Sequence, residues 1–206
     1  GLPVPGMEIR LAEDGEILLK GRGVMQGYFN LPEATAEVLV DGWLHTGDIG
    51  TLDSEGFLQI TDRKKDIIVT AGGKNISPQN IENTLKGRST YISQVVVHGD
   101  NRPYCVALIT LNEESTTTWA RSQGLEFKDY AELSALAPVQ ELIWGEVEAL
   151  NKELAPYETI KRVHLLDSEL SQESGELTPT LKVKRRVVSD RHAGELEALY
   201  KDSAQA

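Results

Sequence analysis

Covalent scaffolding is almost absent from this chain. Cys105 is the single cysteine among 206 residues, which excludes an intrachain disulfide. It lies in the apolar run 104–109 and reads as a packed strand thiol rather than a nucleophile. A reducing cytoplasm is the default compartment for such usage. No apolar run approaches the roughly 20 residues needed to cross a bilayer, and no secretory leader is visible. Positive charge is scarce too: the formal net charge is −11, which argues against general nucleic-acid binding. The four histidines, His45, His98, His164 and His192, are scattered without metal-ligand spacing. There is no internal repeat and no low-complexity tract.

What is present suits a globular protein, with 40% hydrophobic and 26% charged residues and enough length to bury a core. The chain opens on Gly1 in the connector-like stretch Gly-Leu-Pro-Val-Pro-Gly, so it is expected to be a piece of a longer protein. Charge is uneven. Residues 1–60 carry three Lys/Arg against ten Asp/Glu, residues 61–90 six against three, and residues 178–191 five against one. Two local basic regions on an acidic chain suit a small anionic ligand better than a long polyanion.

Turn signals and periodicity predict strands over 7–12 and 16–20 around Glu13-Asp14-Gly15, a short Pro-initiated helix over 31–39, and strands over 44–52 and 57–61. Beyond residue 65 the pattern changes to a strand over 67–70, a helix over 78–86, and strands over 92–98 and 104–111. Helices follow at 113–123, 130–136 and 139–154, then a strand at 163–166 and a terminal helix over 186–201. The fold class is α+β, with a helix on one sheet face of the second part. A boundary falls between residues 64 and 65.

Three constellations carry chemistry. In Gly42-Trp43-Leu44-His45-Thr46-Gly47-Asp48-Ile49-Gly50, Asp48 either holds a ribose diol or stabilises its own turn. His45 reads as a hydrogen-bonded structural residue. In Asp62-Arg63-Lys64-Lys65-Asp66, Arg63 offers a planar fork for phosphate or ribose oxygens, and Gly72-Gly73 leave room for a narrow ligand, unless the stretch is a solvated turn. In Leu177-Thr178-Pro179-Thr180-Leu181-Lys182, a loop delivers a lysine able to neutralise charge at phosphorus, unless it is a solvated helix start.

Together and in this order, these motifs resemble the closing motifs of the ATP-dependent adenylate-forming enzymes, the superfamily of acyl-CoA synthetases, luciferase-like proteins and peptide-synthetase adenylation domains. The resemblance covers almost the whole chain. It implies that Asp48 holds the ATP ribose, Arg63 contacts ribose or phosphates, Lys65 is the hinge, and Gly72 and Gly73 line the pantetheine path. Lys182 takes the place of the catalytic lysine. Leu181 stands where the superfamily usually has Gly, a departure shared by the long-chain fatty-acyl-CoA synthetase branch. The helical stretch at about 113–156 and Gly21–Asn30 (GRGVMQGYFN) are also similar to that branch. The phosphate loop and the Tyr-Gly-x-Thr-Glu motif of the superfamily are missing.

The implied chain is therefore a C-terminal third. Residues 1–64 would close the large adenylation domain and 65–206 would form a mobile α+β domain with a small sheet and flanking helices. The implied reaction joins fatty acid, ATP and CoA, with Mg2+ held mainly upstream, and the fragment alone is expected to be inactive. Lys64, Lys74, Lys86 and Arg88 are candidates for CoA phosphates. Peripheral membrane contact is compatible with a lipid substrate. A fatty acyl-AMP ligase and a non-catalytic binding module are the competing expectations.

Overall fold

The computed structural model describes residues 1–201 and divides into two compact units, Gly1–Ile67 and Ile68–Ala206. Residues 202–206 of the domain expected over 65–206 lie outside the described residues. The α+β class holds. No helix among the described residues is long and apolar enough to cross a membrane.

The first unit is an antiparallel sheet built on hairpins. β1 (Met7–Leu11) pairs with β2 (Glu16–Gly21) through the turn expected at Asp14-Gly15. α1 (Pro32–Val38) starts on its proline and leads through β3 (Leu39–Val40) into β4 (Trp43–Leu52). β4 is long enough to serve two sets of partners: β2 and β3 toward its start, β5 (Leu58–Arg63) toward its end. The connecting turn is closed by Asp53, whose Oδ1 accepts the N–H groups of Glu55 and Phe57, both at 2.9 Å. A 3-10 turn, Lys64–Asp66, ends the unit.

The second unit begins with the short pair β6 (Ile68–Val69) and β7 (Asn75–Ile76), followed by α2 (Pro78–Arg88). β8 (Ile92–His98) and β9 (Cys105–Leu111) form an antiparallel hairpin. After α3 (Glu113–Ser122), α4 (Tyr130–Ala135) and α5 (Ala137–Asn151), β10 (Ile160–Leu165) joins β9 in parallel. α6 (Arg185–Arg191) and α7 (Ala193–Lys201) close the described chain.

β9 explains the packing. All seven of its residues are buried. Cys105, Ala107, Ile109 and Leu111 face a core shared with Ile81 and Leu85 of α2 and Ile143, Val147 and Leu150 of α5. Val106 and Leu108 face a second core with Val188, Leu196 and Tyr200. Each fully buried aliphatic side chain contributes about 1.5–3 kcal/mol. Helices thus cover both faces of this sheet, where one covered face was expected. A continuously apolar strand is the signature of burial on both sides, and 105–111 carries it.

The terminal helix expected over 186–201 is broken. His192 leaves the helical range (φ −103°, ψ 29°), and its ring meets a buried carboxylate.

Candidate functional site

Asp48 and Arg63 are register partners on β4 and β5. The guanidinium Nε stands 3.8 Å from Asp48 Oδ1, with the side chains 54% and 35% exposed. Other groups hold the turn around Asp48. Its own N–H donates to Thr46 Oγ1 at 3.1 Å, and the Thr46 hydroxyl donates to Ile17 O at 2.7 Å. Gly47 adopts φ +71°, a left-handed conformation that favours glycine, and donates its N–H to Glu16 Oε1 at 2.9 Å. A carboxylate and a planar fork are thereby presented side by side to solvent.

Glu16 is the residue the sequence did not single out. It is 4% exposed, and its Oε2 lies 3.0 Å from both His45 Nδ1 and Lys64 Nζ. Lys64 Nζ also meets Asp14 Oδ2 at 2.7 Å. Burial pushes the Glu16 carboxyl up, but hydrogen bonds from His45, Lys64 and the Gly47 N–H outweigh it and hold the group below its ordinary range. The hydrogen bonds to Asp14 and then Glu16 raise the Lys64 ammonium in return. His45 is the hydrogen-bonded structural histidine expected. The neighbouring Lys65 is exposed on the 3-10 turn.

Gly72 and Gly73 form the tip of the turn between β6 and β7. Gly73 has φ +73° and donates to Thr70 O at 2.8 Å, while Lys74 N–H donates to Thr70 Oγ1 at 3.1 Å. A Cβ at Gly73 would meet nothing within 4 Å. The turn is backed by the β8–β9 connection: Ala71 N–H donates to Arg102 O at 3.0 Å, and Asn101 N–H to Val69 O at 2.8 Å. It is an open backbone edge on a firm support.

Lys182 leaves a tight turn. Thr178 N–H donates to Lys182 O at 2.8 Å, Lys182 N–H to Thr178 Oγ1 at 3.0 Å, and Leu181 N–H to Thr178 O at 2.8 Å. Leu177 and Val183 close the base as a bridge. Leu181 sits at φ +59°, the region a glycine occupies without strain. Among the described residues the other positive-φ positions that are not glycine are Asn30, Asp41 and Asn101, types that tolerate it.

Buried carboxylates flank this turn on both sides. Before it, Glu176 (4% exposed) takes the Ser174 hydroxyl and His192 Nε2 at 3.2 Å, with Arg191 Nε at 3.6 Å. Burial pushes the Glu176 carboxyl up, yet the bonds from Ser174 and His192 and the charge of Arg191 leave it below its ordinary range. After it, Arg185 Nη1 and Nη2 donate to Glu82 Oε1 and Oε2, both at 2.8 Å. Val97 N–H donates to Glu82 Oε1 at 2.7 Å and Val97 O accepts from Arg185 at 2.8 Å. Sequence reasoning missed Glu82, although its place one residue after Ile81 on the buried stripe of α2 with Pro78 and Leu85 is a signal that could have found it.

The candidate phosphate cations have protein partners. Lys64 is paired as above, Arg88 with Glu153, and Lys86 Nζ donates to Gln94 Oε1 at 2.7 Å. Lys74 Nζ lies 5.8 Å from the Tyr157 ring centroid. Among the described residues no three His, Cys, Asp or Glu side chains converge to hold a metal ion.

A family model described as the AMP-binding enzyme C-terminal domain matches residues 65–204. The long-chain-fatty-acid–CoA ligase FadD15 of Mycobacterium tuberculosis is 43% identical over 204 residues, covering 97% of this chain and 33% of that protein. Human long-chain-fatty-acid–CoA ligase 6 is 36% identical over 215 residues, covering 97% and 31%. Among solved structures, the adenylation domain of a Mycobacterium chelonae carboxylate reductase superposes with a TM-score of 0.75 at 24% identity, covering 97% of this chain and 31% of that one. That likeness concerns the fold. The O-succinylbenzoate coenzyme A synthetase of Bacillus subtilis, solved with AMP, gives a TM-score of 0.61 at 27% identity, covering 90% and 34%. The chain spans about a third of the length of the curated relatives it matches.

Proposed function

The chain belongs to the AMP-binding enzyme C-terminal domain family, and from that premise we propose that it is the C-terminal third of an ATP-dependent long-chain fatty acid–CoA ligase. Residues 1–64 would end the large adenylation domain and 65–206 would be the mobile domain. The observation that carries this reading is the pairing of Asp48 with Arg63 across β4 and β5. A ribose-phosphate needs a carboxylate for its hydroxyls and a cation for its phosphate oxygens, and both are offered side by side on neighbouring strands with their side chains open to solvent.

In the first half-reaction a fatty carboxylate oxygen attacks the α-phosphorus of ATP, and pyrophosphate leaves. Asp48 accepts hydrogen bonds from the ribose hydroxyls, and Arg63 contacts ribose or phosphate oxygens. The Lys182 ammonium bridges the carboxylate and α-phosphate and offsets the charge that builds at phosphorus. In the second, the CoA thiol, losing its proton, attacks the acyl carbon, and AMP departs with the bonding pair. Rotation about Lys65 withdraws Lys182 and brings Gly72 and Gly73 to the pantetheine arm. The reading is compatible with a cytoplasmic enzyme, and a lipid substrate is compatible with peripheral membrane contact.

ATP–pyrophosphate exchange in the full-length protein, driven by palmitate, tests the reading. Exchange followed by CoA-dependent release of AMP is expected. Exchange without CoA consumption would instead assign a fatty acyl-AMP ligase, and no exchange with any fatty acid would favour a non-catalytic module.

A further inference from the structure

Lys182 and the Gly72–Gly73 turn serve opposite half-reactions in the proposed function, and they lie far apart in sequence on the same compact unit. A continuous mechanical path joins them. The Gly72–Gly73 turn runs into β7, whose Ile76 is fully buried, and β7 runs into α2, seated by Ile81 and Leu85 at 1% and 0% exposure. Glu82 projects from α2 and is gripped by Arg185, the third residue after Lys182. The grip is a two-pronged fork, with Nη1 donating to Oε1 and Nη2 to Oε2. A bidentate fork fixes direction as well as distance. Val97 stitches the pair to β8, donating to Glu82 and accepting from Arg185.

An ordinary fold-stabilising ion pair would look similar. Val188, however, is fully buried and holds α6 against the sheet by apolar contact. What the fork adds is orientation at the point where the chain leaves Lys182. That point needs it, because the turn before it carries the left-handed Leu181 and Lys182 itself is exposed.

We propose that Glu82 and Arg185 are a positioning pair for Lys182: they lock its turn to α2, so the adenylation lysine and the Gly72–Gly73 face turn as one rigid piece. This rests on Lys182 being the adenylation lysine. Neither Glu82 nor Arg185 touches substrate in this account; both act through the backbone that carries Lys182.

The test uses the full-length protein with Glu82→Gln and with the double variant Glu82→Gln/Arg185→Met. The single variant keeps an oxygen for Val97 N–H. The double variant removes both charges together, which spares the fold the cost of one uncompensated buried ion. Pyrophosphate release reports adenylation, CoA-dependent use of supplied acyl-adenylate reports the second step, and amide hydrogen exchange at Leu181 and Lys182 reports the turn. Adenylation is expected to slow at least about tenfold, as small misplacements of a catalytic group do. The second step should stay within about twofold of the parent, and the Leu181 and Lys182 amides should exchange faster. Unchanged adenylation in the double variant, or equal losses in both steps, would overturn the proposal. Lys182→Ala is run alongside. If it abolishes adenylation while the fork variants keep it, the positioning role alone fails. If it spares adenylation, the role of Lys182 fails and the positioning role falls with it.

Discussion

Lys64 reaches back to β2 and places its ammonium 3.0 Å from the buried carboxylate of Glu16, whose other oxygen takes the Gly47 N–H at 2.9 Å. One carboxylate thus ties the strand that carries Asp48 to the residue just before the proposed hinge. Lys65, next in the chain, is exposed. In the proposed rotation, Lys64 would mark the fixed end and Lys65 the first position to turn.

The pH dependence follows from the Glu16 carboxyl, which lies below its ordinary value of 4.5 in the folded protein. Its contribution is fully present above the unfolded value and is lost as pH falls through the folded one. Unfolding by urea should therefore show stability falling below about pH 4.5 in the parent, with a smaller fall in Glu16→Gln. Glu16→Ala leaves the Gly47 N–H without its acceptor, while Lys64 keeps Asp14, and should cost about 1–3 kcal/mol near neutral pH. A cost under about 1 kcal/mol would reduce Glu16 to a surface-like pair.

Leu181 occupies a left-handed conformation that costs an ordinary residue roughly 1–2 kcal/mol. Leu181→Gly should be neutral or mildly stabilising, because relief of strain offsets the extra freedom of the unfolded chain. Leu181→Val should be less stable than Leu181→Gly by about 1–2 kcal/mol, since β-branching makes the conformation worse. Equal melting temperatures for the two would contradict the left-handed assignment.

Much of the first unit was legible. Asp14-Gly15 and Asp53–Gly56 are local turns, and the alternation along 7–11 needs no distant partner. Asp48, Arg63 and Lys182 were singled out by the order of three short motifs and their resemblance to a family, since each motif alone also fits a plain turn or solvated segment. Glu16, Glu82 and Glu176 were not, because each is defined by a partner brought close only by folding. Arg185 meets Glu82 across 103 residues, and Lys64 meets Glu16 across 48. The break at His192 belongs with them: its ring finds Glu176, and nothing in the local helical pattern announces that contact.

Cys105 is fully buried on β9, and burial pushes its thiol up to about 11. Thiol reagents at pH 8 should leave the native protein unlabelled and label it fully in denaturant. Rapid native labelling would contradict the packed position. Cys105→Ser should cost about 1–3 kcal/mol, the cost of burying a hydroxyl without a partner.

Lys65→Pro tests the pivot. Proline disfavours helical geometry at the preceding residue, which here lies in the 3-10 turn Lys64–Asp66, and it stiffens the position itself. Adenylation should stay within about threefold while CoA-dependent turnover of supplied acyl-adenylate drops at least about tenfold. A normal second step would remove Lys65 from the hinge.

The most direct test is the pair of half-reactions in full-length protein carrying Lys182→Ala. Palmitate-dependent pyrophosphate release should fall by about a hundredfold or more. Thioester formation from supplied palmitoyl-adenylate and CoA should stay close to the parent rate. Equal loss in both half-reactions, or full retention of the first, would contradict the account.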